Sequence, residues 1–368
     1  MDTAVDKDDQ ARRQNYNDRI AKLGISPLWD QYHDLLTLEP QIKTAPHIWV
    51  YAELRDILLE AGELISAKEA QRRVLMLENP AFPGQAKATD TLFTGLQLIL
   101  PGEVAPAHRH SPNALRLILE GEGAYTSVNG EKTMMKYGDY IITPTWCWHD
   151  HGHQGSEPVV WQDILDLPLV KSIGTVFYEP YPDEQFPAGP TPGDSLRRYG
   201  SNMLPVGLEP DNLNSPIFSY PYEKSRATMD ALAGDSDLDP YHGLKMEFID
   251  PTTGGPAMSS ISTFMQRLPK GFKTERYQST EGAIFTCLEG GGRAVIGGVD
   301  SARTFEFTEK DIFVAPCWQP YSIEADEDTY LFVGTDKTVQ TKLGLWRERR
   351  GNARTFKPSG ICMNWSSG

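Results

Sequence analysis

The chain has 368 residues, a formal net charge of −15 and a hydrophobic content of 39%. This length fits two or three domains, and the apolar fraction is high enough to bury a core. The acidic balance argues against nucleic acid as the main partner, because phosphate binding favours a basic face. No apolar run approaches the ~20 residues of a membrane span, and the polar start does not resemble a secretory signal.

The number and spacing of the cysteines indicate the cellular compartment. The four cysteines are Cys147, Cys287, Cys317 and Cys362, and they form no CxxC pair. Such wide spacing suits a reducing environment, so we expect a cytoplasmic protein without a disulfide framework.

The first 90 residues predict a helical region. One polar helix runs from about residue 7 towards Gly24, and a second begins with Ser26 as a plausible N-cap and Pro27 at the first helical position. A third helix is predicted over 52–65, where leucines recur on one face. We expect these helices to pack on another domain or on another subunit.

The residue pattern of the sequence changes near residue 91, where short β-rich segments separated by Gly or Pro begin. This pattern predicts a β-barrel over 91–172. Residues 173–257 are rich in Pro and Gly and predict a linker, with a helix near 223–232. A second β-rich barrel is predicted over 258–340, followed by a basic, mostly irregular tail over 341–368.

The two β blocks share the spacing of their turn residues, which indicates an internal repeat. Gly102 lies six residues before His108, and Gly271 lies six residues before Tyr277. The histidines themselves are not repeated: His108, His110 and His149 correspond to Tyr277, Ser279 and Tyr321. We therefore predict a duplicated barrel whose second copy binds no metal and serves as scaffold. A second active site with other chemistry is the alternative.

Histidines cluster in the first block. His108 and His110 are two residues apart, so on a strand both rings point to one face. His149 follows from a later strand, and three imidazoles on one inner face would form a metal site with open positions. Imidazole ligands suit Fe, Zn, Cu or Ni. His151 continues the alternation as a candidate base, whereas His153 is expected in an exposed loop.

The spacing Gly102-x5-HxH followed by Gly138-x5-Pro144-x4-His149 resembles the paired motifs of the cupin superfamily. Many cupins place a glutamate three or four residues after the HxH, but here Asn113 and Ala114 stand there. A site of three neutral histidines without that carboxylate leaves room for a chelating dianionic substrate and O2.

Longer segments, among them PHIWVYAEL, QRRVLMLENP and IDPTTGGPAM, resemble the gentisate 1,2-dioxygenase and salicylate 1,2-dioxygenase group. The resemblance implies a mainly β bicupin fold, with two double-stranded β-helix (jelly-roll) barrels and an N-terminal helical region. It also implies Fe(II), ring cleavage by O2 and a homotetramer. Gentisate would open between C1 and C2 to give maleylpyruvate.

Other rings and other functions stay open at this point. Salicylate, a 5-amino-, 5-chloro- or 5-nitrosalicylate, or 1-hydroxy-2-naphthoate could be the substrate of the same chemistry. A metal-binding cupin isomerase or a non-catalytic binder is the third possibility.

Several polar residues are candidates for substrate binding. Arg116 lies six residues after His110 in an apolar run, where an unpartnered charge is costly, although pairing with Glu120 is an alternative. Gln97 raises the same question in its own apolar strand. By the resemblance Arg72 lies near the substrate carboxylate, whereas the sequence alone would make it a solvated charge.

Phe93 and Gly95 are predicted to form the pocket wall, and Trp148 to form either wall or core. Asp163 is predicted to orient a ligand histidine or His151, and the pair His151 and Asp163 to accept a substrate proton. Asp166 is its competitor and could simply cap the strand.

Overall fold

The structure is a computed structural model that describes residues 7–209, 212–234 and 237–351. Cys362 and most of the predicted tail lie outside the described residues. The chain divides into two compact units after Gln41.

The first unit contains two helices, α1 (Lys7–Ala21) and α2 (Leu28–Leu35). The Asn17 side-chain amide donates a hydrogen bond to Asp30, 3.2 Å away, and so joins them. Both helices are as predicted, except that Pro27 rather than Ser26 occupies the N-cap of α2. The predicted region 1–90 is not one unit, because the later helices belong with the barrels.

The second unit is mainly β. Its helices are α3 (Tyr51–Leu64), α4 (Ala67–Ala70), α5 (Leu167–Ser172), α6 (Asp194–Tyr199), α7 (Tyr222–Ala233) and α8 (Lys337–Lys342). Its strands are β1 (His47–Trp49), β2 (Val74–Met76), β3 (Phe93–Ile99), β4 (Val104–His110), β5 (Ala114–Glu120), β6 (Ala124–Val128), β7 (Glu131–Met134), β8 (Tyr140–Thr143), β9 (His149–His153), β10 (Val159–Leu165), β11 (Tyr178–Pro180), β12 (Ser219–Tyr220), β13 (Leu244–Glu247), β14 (Ser262–Leu268), β15 (Tyr277–Ser279), β16 (Ala283–Glu289), β17 (Gly291–Ile296), β18 (Arg303–Thr308), β19 (Ile312–Ala315), β20 (Tyr321–Ala325), β21 (Thr329–Thr335) and β22 (Glu348–Arg350).

These strands form four antiparallel sheets, two to each barrel. The first barrel has the orders β12-β8-β5-β10-β3-β2 and β11-β4-β9-β6-β7, and the second has β1-β19-β16-β21-β14-β13 and β18-β17-β20-β15-β22. Strands from outside the predicted barrel ranges complete the edges. β1 from the N-terminal region joins the second barrel, and β11 and β12 from the linker join the first. The barrels are therefore less separable in sequence than the predicted boundaries 91–172 and 258–340.

The duplication is visible in the backbone. His108 is paired with His149 in the first barrel, and Tyr277 is paired with Tyr321 in the second. Trp146 and Trp318 have the rare positive φ of 61° and 57° at equivalent turns. In each turn the backbone N–H of the tryptophan donates to a carbonyl of a neighbouring strand. Trp146 donates to His110 of β4, and Trp318 donates to Ser279 of β15. The predicted internal repeat is a repeat of structure.

The larger sheets of the two barrels face each other across one apolar core. Leu96, Leu117 and Ile164 project into it from the first barrel, and Ile284 and Phe332 project from the second. Alternate residues of the same first-barrel strands, such as Ile99, Ile118 and Trp161, point into the barrel interior instead. Each central strand is thus buried on both faces, which explains its near-continuous apolar sequence.

A chain of buried hydrogen bonds crosses this core. The Thr286 hydroxyl of the second barrel donates to the Gln162 side-chain oxygen at 2.6 Å. The Gln162 amide donates to the Thr94 hydroxyl at 3.0 Å, and that hydroxyl donates to the backbone carbonyl of Asp163 at 2.7 Å. Polar groups buried this deeply would be costly without these partners.

We expect Phe332→Ala to lower the free energy of unfolding by about 3–5 kcal/mol, because it empties a fully buried ring site. Chemical denaturation followed by circular dichroism measures the change. Val299→Ala, at a position 88% exposed, is the control and should stay within about 0.5 kcal/mol of the native chain. Equal midpoints for both variants would contradict this role for the inter-barrel core.

Candidate active site

Three histidines meet inside the first barrel. Ligand nitrogens of His108, His110 and His149 all lie within 4.8 Å of one another. His108 and His110 are contributed by β4, on which they lie two residues apart, and His149 begins the adjacent strand β9. This is the convergence predicted from the HxH spacing, with the third ring supplied across the sheet.

Backbone carbonyls orient these rings. The Nδ1 of His110 lies 2.8 Å from the carbonyl oxygen of Pro112, and the Nδ1 of His149 lies 3.0 Å from that of Cys147. When each Nδ1 donates its proton to its carbonyl, Nε2 is left with a free lone pair. This is the tautomer in which a histidine binds a metal through Nε2.

The third ring has two neighbours. Nδ1 of His108 lies 3.3 Å from the carbonyl oxygen of Pro106 and 2.8 Å from Nη2 of Arg72, which also donates to Pro106 at 2.9 Å. A guanidinium can only donate, so the Arg72 contact needs an unprotonated Nδ1. A metal on Nε2 would put the proton on Nδ1, and Arg72 would then have to turn away from the ring.

The site favours neutral imidazole. Burial, together with the charges of the nearby Arg116 and Arg72, lowers the pKa of His110 to about 4. Burial, again with help from Arg72, lowers the pKa of His108 to about 2. Neutral rings are the form that ligates metals, so no proton has to be displaced at neutral pH to fill Nε2.

The inner face of the opposite sheet carries the charged residues. Gly95 of β3, Asp163 of β10 and Arg116 of β5 are direct neighbours across these strands. Arg116 is buried, donates one hydrogen bond to the Thr143 hydroxyl, and has Nε 3.6 Å from an Asp163 carboxylate oxygen. That Nε has no hydrogen-bond partner. The guanidinium is thus held in place with donor capacity to spare.

Burial raises the pKa of Asp163 to about 6, and the charge of Arg116 opposes the rise. The Asp163 carboxylate also accepts a hydrogen bond from the Trp161 indole at 3.1 Å. Among the described residues its hydrogen bonds include none to a histidine, so the predicted role of orienting one is wrong. Carbonyl oxygens hold the three clustered rings instead.

His151 lies between the triad and the opposite sheet. Its ring centroid is 6.0 Å from that of His149 and 5.3 Å from that of Trp161. Its Nδ1 is 3.0 Å from the Thr126 hydroxyl, whereas its buried Nε2 has no hydrogen-bond partner. Burial holds its pKa well below the usual value. His151 is therefore a neutral imidazole with one nitrogen open to a ligand.

The predicted wall residues lie in the same barrel. Gln97 and Phe93 are buried on the inward-facing side of β3, in alternation with Gly95. A Cβ added to Gly95 would come within 2.7 Å of Val74 and 3.1 Å of the Phe93 ring. Little space therefore remains beside Gly95, because β2 places Val74 over the glycine.

Trp148 does not line the site. Its ring packs on Tyr181 and Phe186, and the Arg109 guanidinium lies 4.5 Å from its centroid. Arg109 stands between the two histidines of the HxH motif and points to the other face of the sheet. The prediction that Trp148 forms pocket wall or core is wrong, because Trp148 directly precedes the inward-facing His149 and packs on Tyr181 and Phe186 instead.

Three alternatives are also settled by contacts. Glu120 pairs with Arg55 at 2.5 Å, so it is not the partner of Arg116. Asp166 accepts hydrogen bonds from Asn113 and from Ser260 of the second barrel, which gives it a structural role. His153 is buried and lies 2.6 Å from the carbonyl of Glu157, so the prediction of an exposed loop residue is wrong.

Sequence reasoning missed Tyr178, whose ring lies 5.2 Å from that of His108. It also missed Thr143 and Thr126, which hold Arg116 and His151. The two threonines could have been found from the sequence, because each lies on a strand that pairs with the strand of its partner: Thr143 on β8 beside β5, and Thr126 on β6 beside β9. Tyr178 comes from the linker, and nothing in its local pattern places it beside a histidine.

The residues present fit a metal with three nitrogen ligands. The triad offers three neutral imidazoles, and no Cys, Asp or Glu joins that cluster among the described residues. Such a set suits a late first-row transition metal and leaves coordination positions for other ligands.

Comparison with known proteins agrees with this site. A cupin-domain family model matches residues 95–167. The chain is 47% identical over 338 residues to gentisate 1,2 dioxygenase 1 of Aquipseudomonas alcaligenes, covering 92% of this chain and 96% of that protein. The chain belongs to the gentisate 1,2-dioxygenase family.

Other relatives of this chain are named for different aromatic rings. It is 30% identical to the 5-aminosalicylate 1,2-dioxygenase of Comamonas sp., over 90% of this chain and 88% of that protein. A crystal structure of salicylate 1,2-dioxygenase from Pseudoaminobacter salicylatoxidans, an adduct with gentisate, superposes with a TM-score of 0.86 at 29% identity. That match covers 96% of each chain and confirms the predicted bicupin fold.

No described helix has the length and apolar character that crossing a lipid bilayer requires. The described cysteines, Cys147, Cys287 and Cys317, are free thiols.

We expect His110→Ala to weaken metal binding by more than about a hundredfold, because losing even a partner of a ligand costs ~10–100-fold. His110 is only half-buried, so the fold should tolerate the change. Anaerobic equilibrium dialysis against Fe(II) measures the affinity. His33→Ala, on the exposed helix α2, is the control and should bind as the native chain does. Retained affinity in the His110 variant would contradict the ligand assignment.

Proposed function

We propose that this chain is an Fe(II)-dependent dioxygenase that opens gentisate between the carboxyl-bearing C1 and the hydroxyl-bearing C2. Both oxygen atoms of O2 enter the product, maleylpyruvate. One observation carries the proposal: two buried or half-buried arginines adjoin a triad of neutral histidines. A site with that charge calls for an anionic ligand, and a ring carboxylate beside an ionisable hydroxyl supplies it.

Arg116 is the principal carboxylate ligand. Its side chain is fixed by Thr143 and Asp163, and its Nε–H is buried without an acceptor. A guanidinium forms charge-assisted hydrogen bonds with a carboxylate, and burial strengthens them. Arg72 contacts the His108 ring and becomes available to a substrate once it leaves that ring. Gln97 and Phe93 complete the wall.

His151 is the group best placed to take a proton. It is neutral, because burial keeps its pKa low, and its free Nε2 faces no protein acceptor or donor. We assign it the phenolic proton that the substrate gives up on binding, with Thr126 holding the ring in place. Asp163 supports this site indirectly, by holding Arg116. A ferrous ion on the three imidazoles supplies the chemistry that lets O2 react with the ring.

The same arrangement serves related rings. Relatives named for 5-aminosalicylate and 1-hydroxy-2-naphthoate are 30% and 32% identical to this chain. Salicylate and its 5-amino, 5-chloro or 5-nitro derivatives carry the same carboxylate and hydroxyl pair, so Arg116 and the triad could bind them alike. We place gentisate first because the 47% identical relative is named for it. The isomerase and the non-catalytic binder lack such support.

Two further points belong to the proposal. Large apolar side chains follow each barrel in an exposed position, namely Ile173 and Phe177 after the first and Leu343 and Leu345 after the second. Exposed apolar groups of this kind favour contacts between copies, and we propose a homotetramer. The free thiols support a cytoplasmic location.

We expect the Fe(II)-loaded protein to consume one O2 for each gentisate and to form maleylpyruvate. An oxygen electrode and the absorbance of the product measure both. Salicylate and 5-aminosalicylate, assayed in parallel, rank the alternative rings by kcat/KM. No O2 uptake with any of these acids, in protein shown to hold iron, would favour the isomerase or the binder.

We expect Arg116→Gln to weaken gentisate binding by about 10–100-fold while iron stays bound, because one charge-assisted contact is lost. Anaerobic titration gives the dissociation constant, and metal analysis gives the iron content. Arg55→Gln is the matched control, because it breaks an ion pair with Glu120, which lies on β5 as Arg116 does. An unchanged dissociation constant for the Arg116 variant would remove its assignment.

A further inference from the structure

The short strand β11 lies at the edge of the sheet that holds the three histidines. It pairs with β4 so that Tyr178 is opposite His110, Glu179 opposite Arg109 and Pro180 opposite His108. Directly paired residues of antiparallel strands point to the same face. Tyr178 therefore shares the face of the two ligand histidines, and Glu179 the opposite one.

Contacts on both faces agree with this register. The Tyr178 ring centroid lies 5.2 Å from that of His108, with the rings tilted by 40°. On the other face Glu179 accepts hydrogen bonds from Arg109 at 2.6 and 2.9 Å, and Arg109 lies between the rings of Trp146 and Trp148. The outer contacts hold β11 in place and leave Tyr178 at the site.

The second barrel repeats this strand and shows how far its first side chain reaches. There β22 pairs with β15, and Glu348 lies opposite Ser279, which stands where His110 does. The Tyr277 hydroxyl, at the position of His108, donates to the Glu348 carboxylate at 3.1 Å. A side chain at this strand position thus contacts the residue that stands where a ligand histidine stands in the first barrel.

Tyr178 is also open to solvent, with 56% of its surface exposed. Its ring therefore lies next to His108 and also meets water. Arg72 contacts the same histidine, with its Nη2 2.8 Å from Nδ1 of His108. Arg72 and Tyr178 are therefore both neighbours of the His108 ring.

We infer that Tyr178 is a substrate-positioning residue: its hydroxyl binds the carboxylate of the aromatic acid together with Arg72, and its ring shields His108 from water. The inference rests on the proposed function and adds a contact to it. A phenol O–H donates one hydrogen bond to a carboxylate oxygen, and a carboxylate accepts several. The ring keeps the open side of the site narrow without adding charge.

The test compares the native chain with Tyr178→Phe, which loses only the hydroxyl. Gentisate and its uncharged carboxamide, 2,5-dihydroxybenzamide, are titrated anaerobically into protein of equal iron content. We expect gentisate to bind about tenfold more weakly in the variant, because a hydrogen bond to a charged group is lost, and the amide to change by less than about threefold. KM for gentisate should rise with kcat nearly unchanged.

Glu179→Gln is the control, because it weakens the Arg109 ion pair on the opposite face of β11 and leaves the Tyr178 side chain unaltered. It should bind both compounds as the native chain does. Native affinity of the Phe variant for gentisate would overturn the inference. Equal weakening towards both compounds, or the same loss in the control, would also overturn it, since strand displacement would then be the cause. A native chain that neither binds nor cleaves gentisate would instead overturn the proposed function.

Discussion

The charge balance inside the first barrel governs the rest of the site. Three imidazoles are kept neutral by burial, and two guanidinium groups lie within electrostatic reach of them. Asp163 is the nearby acid, but burial raises its pKa and it is already engaged with Arg116. Among the described residues of the triad cluster no carboxylate supplies a compensating charge. The incoming molecule has to bring it, which ties metal occupancy, substrate binding and selectivity for acids to one electrostatic requirement.

The scaffold meets this requirement because the two faces of each strand have different roles: one faces the barrel interior and the other the core between the barrels. On β5, Arg116 points into the barrel, while Leu115 and Leu117 enter the core between the barrels. A charged group can therefore be buried on a strand whose other face is packed against the sheet of the second barrel. The second barrel has kept the backbone of the first, down to the unusual turn at Trp318, and uses it to form that sheet.

The features that could be predicted are those set by local spacing. The HxH pair and His149 follow from strand alternation, and the repeat follows from turn residues at matched distances. Trp148 forms neither pocket wall nor core, because it directly precedes the inward-facing His149 and its ring packs on Tyr181 and Phe186. The partners of Asp163 could not be foreseen, since Arg116 and Trp161 reach it through registers between strands that the sequence does not specify.

The short strands at the sheet edges could not be predicted from the sequence either. β1 and β11 have three residues each, and they pair with strands far away in the sequence. Three residues carry too little alternation to predict a strand, and their pairing depends on a free edge that exists only after the barrel has formed. Tyr178 belongs to such a strand, which is why its neighbourhood became visible only in three dimensions.

The hydrogen-bonded path from Thr286 through Gln162 and Thr94 ends on the backbone of Asp163. The hydroxyl of a residue in the second barrel thus helps to fix the peptide that carries an active-site carboxylate. The second barrel has Tyr277, Ser279 and Tyr321 where the first has imidazoles, but it carries this hydroxyl, whose loss would leave the buried Gln162 oxygen without a donor. Sequence drift in the two halves is coupled at that point, and homologues should be expected to exchange Thr286 and Gln162 only in concert.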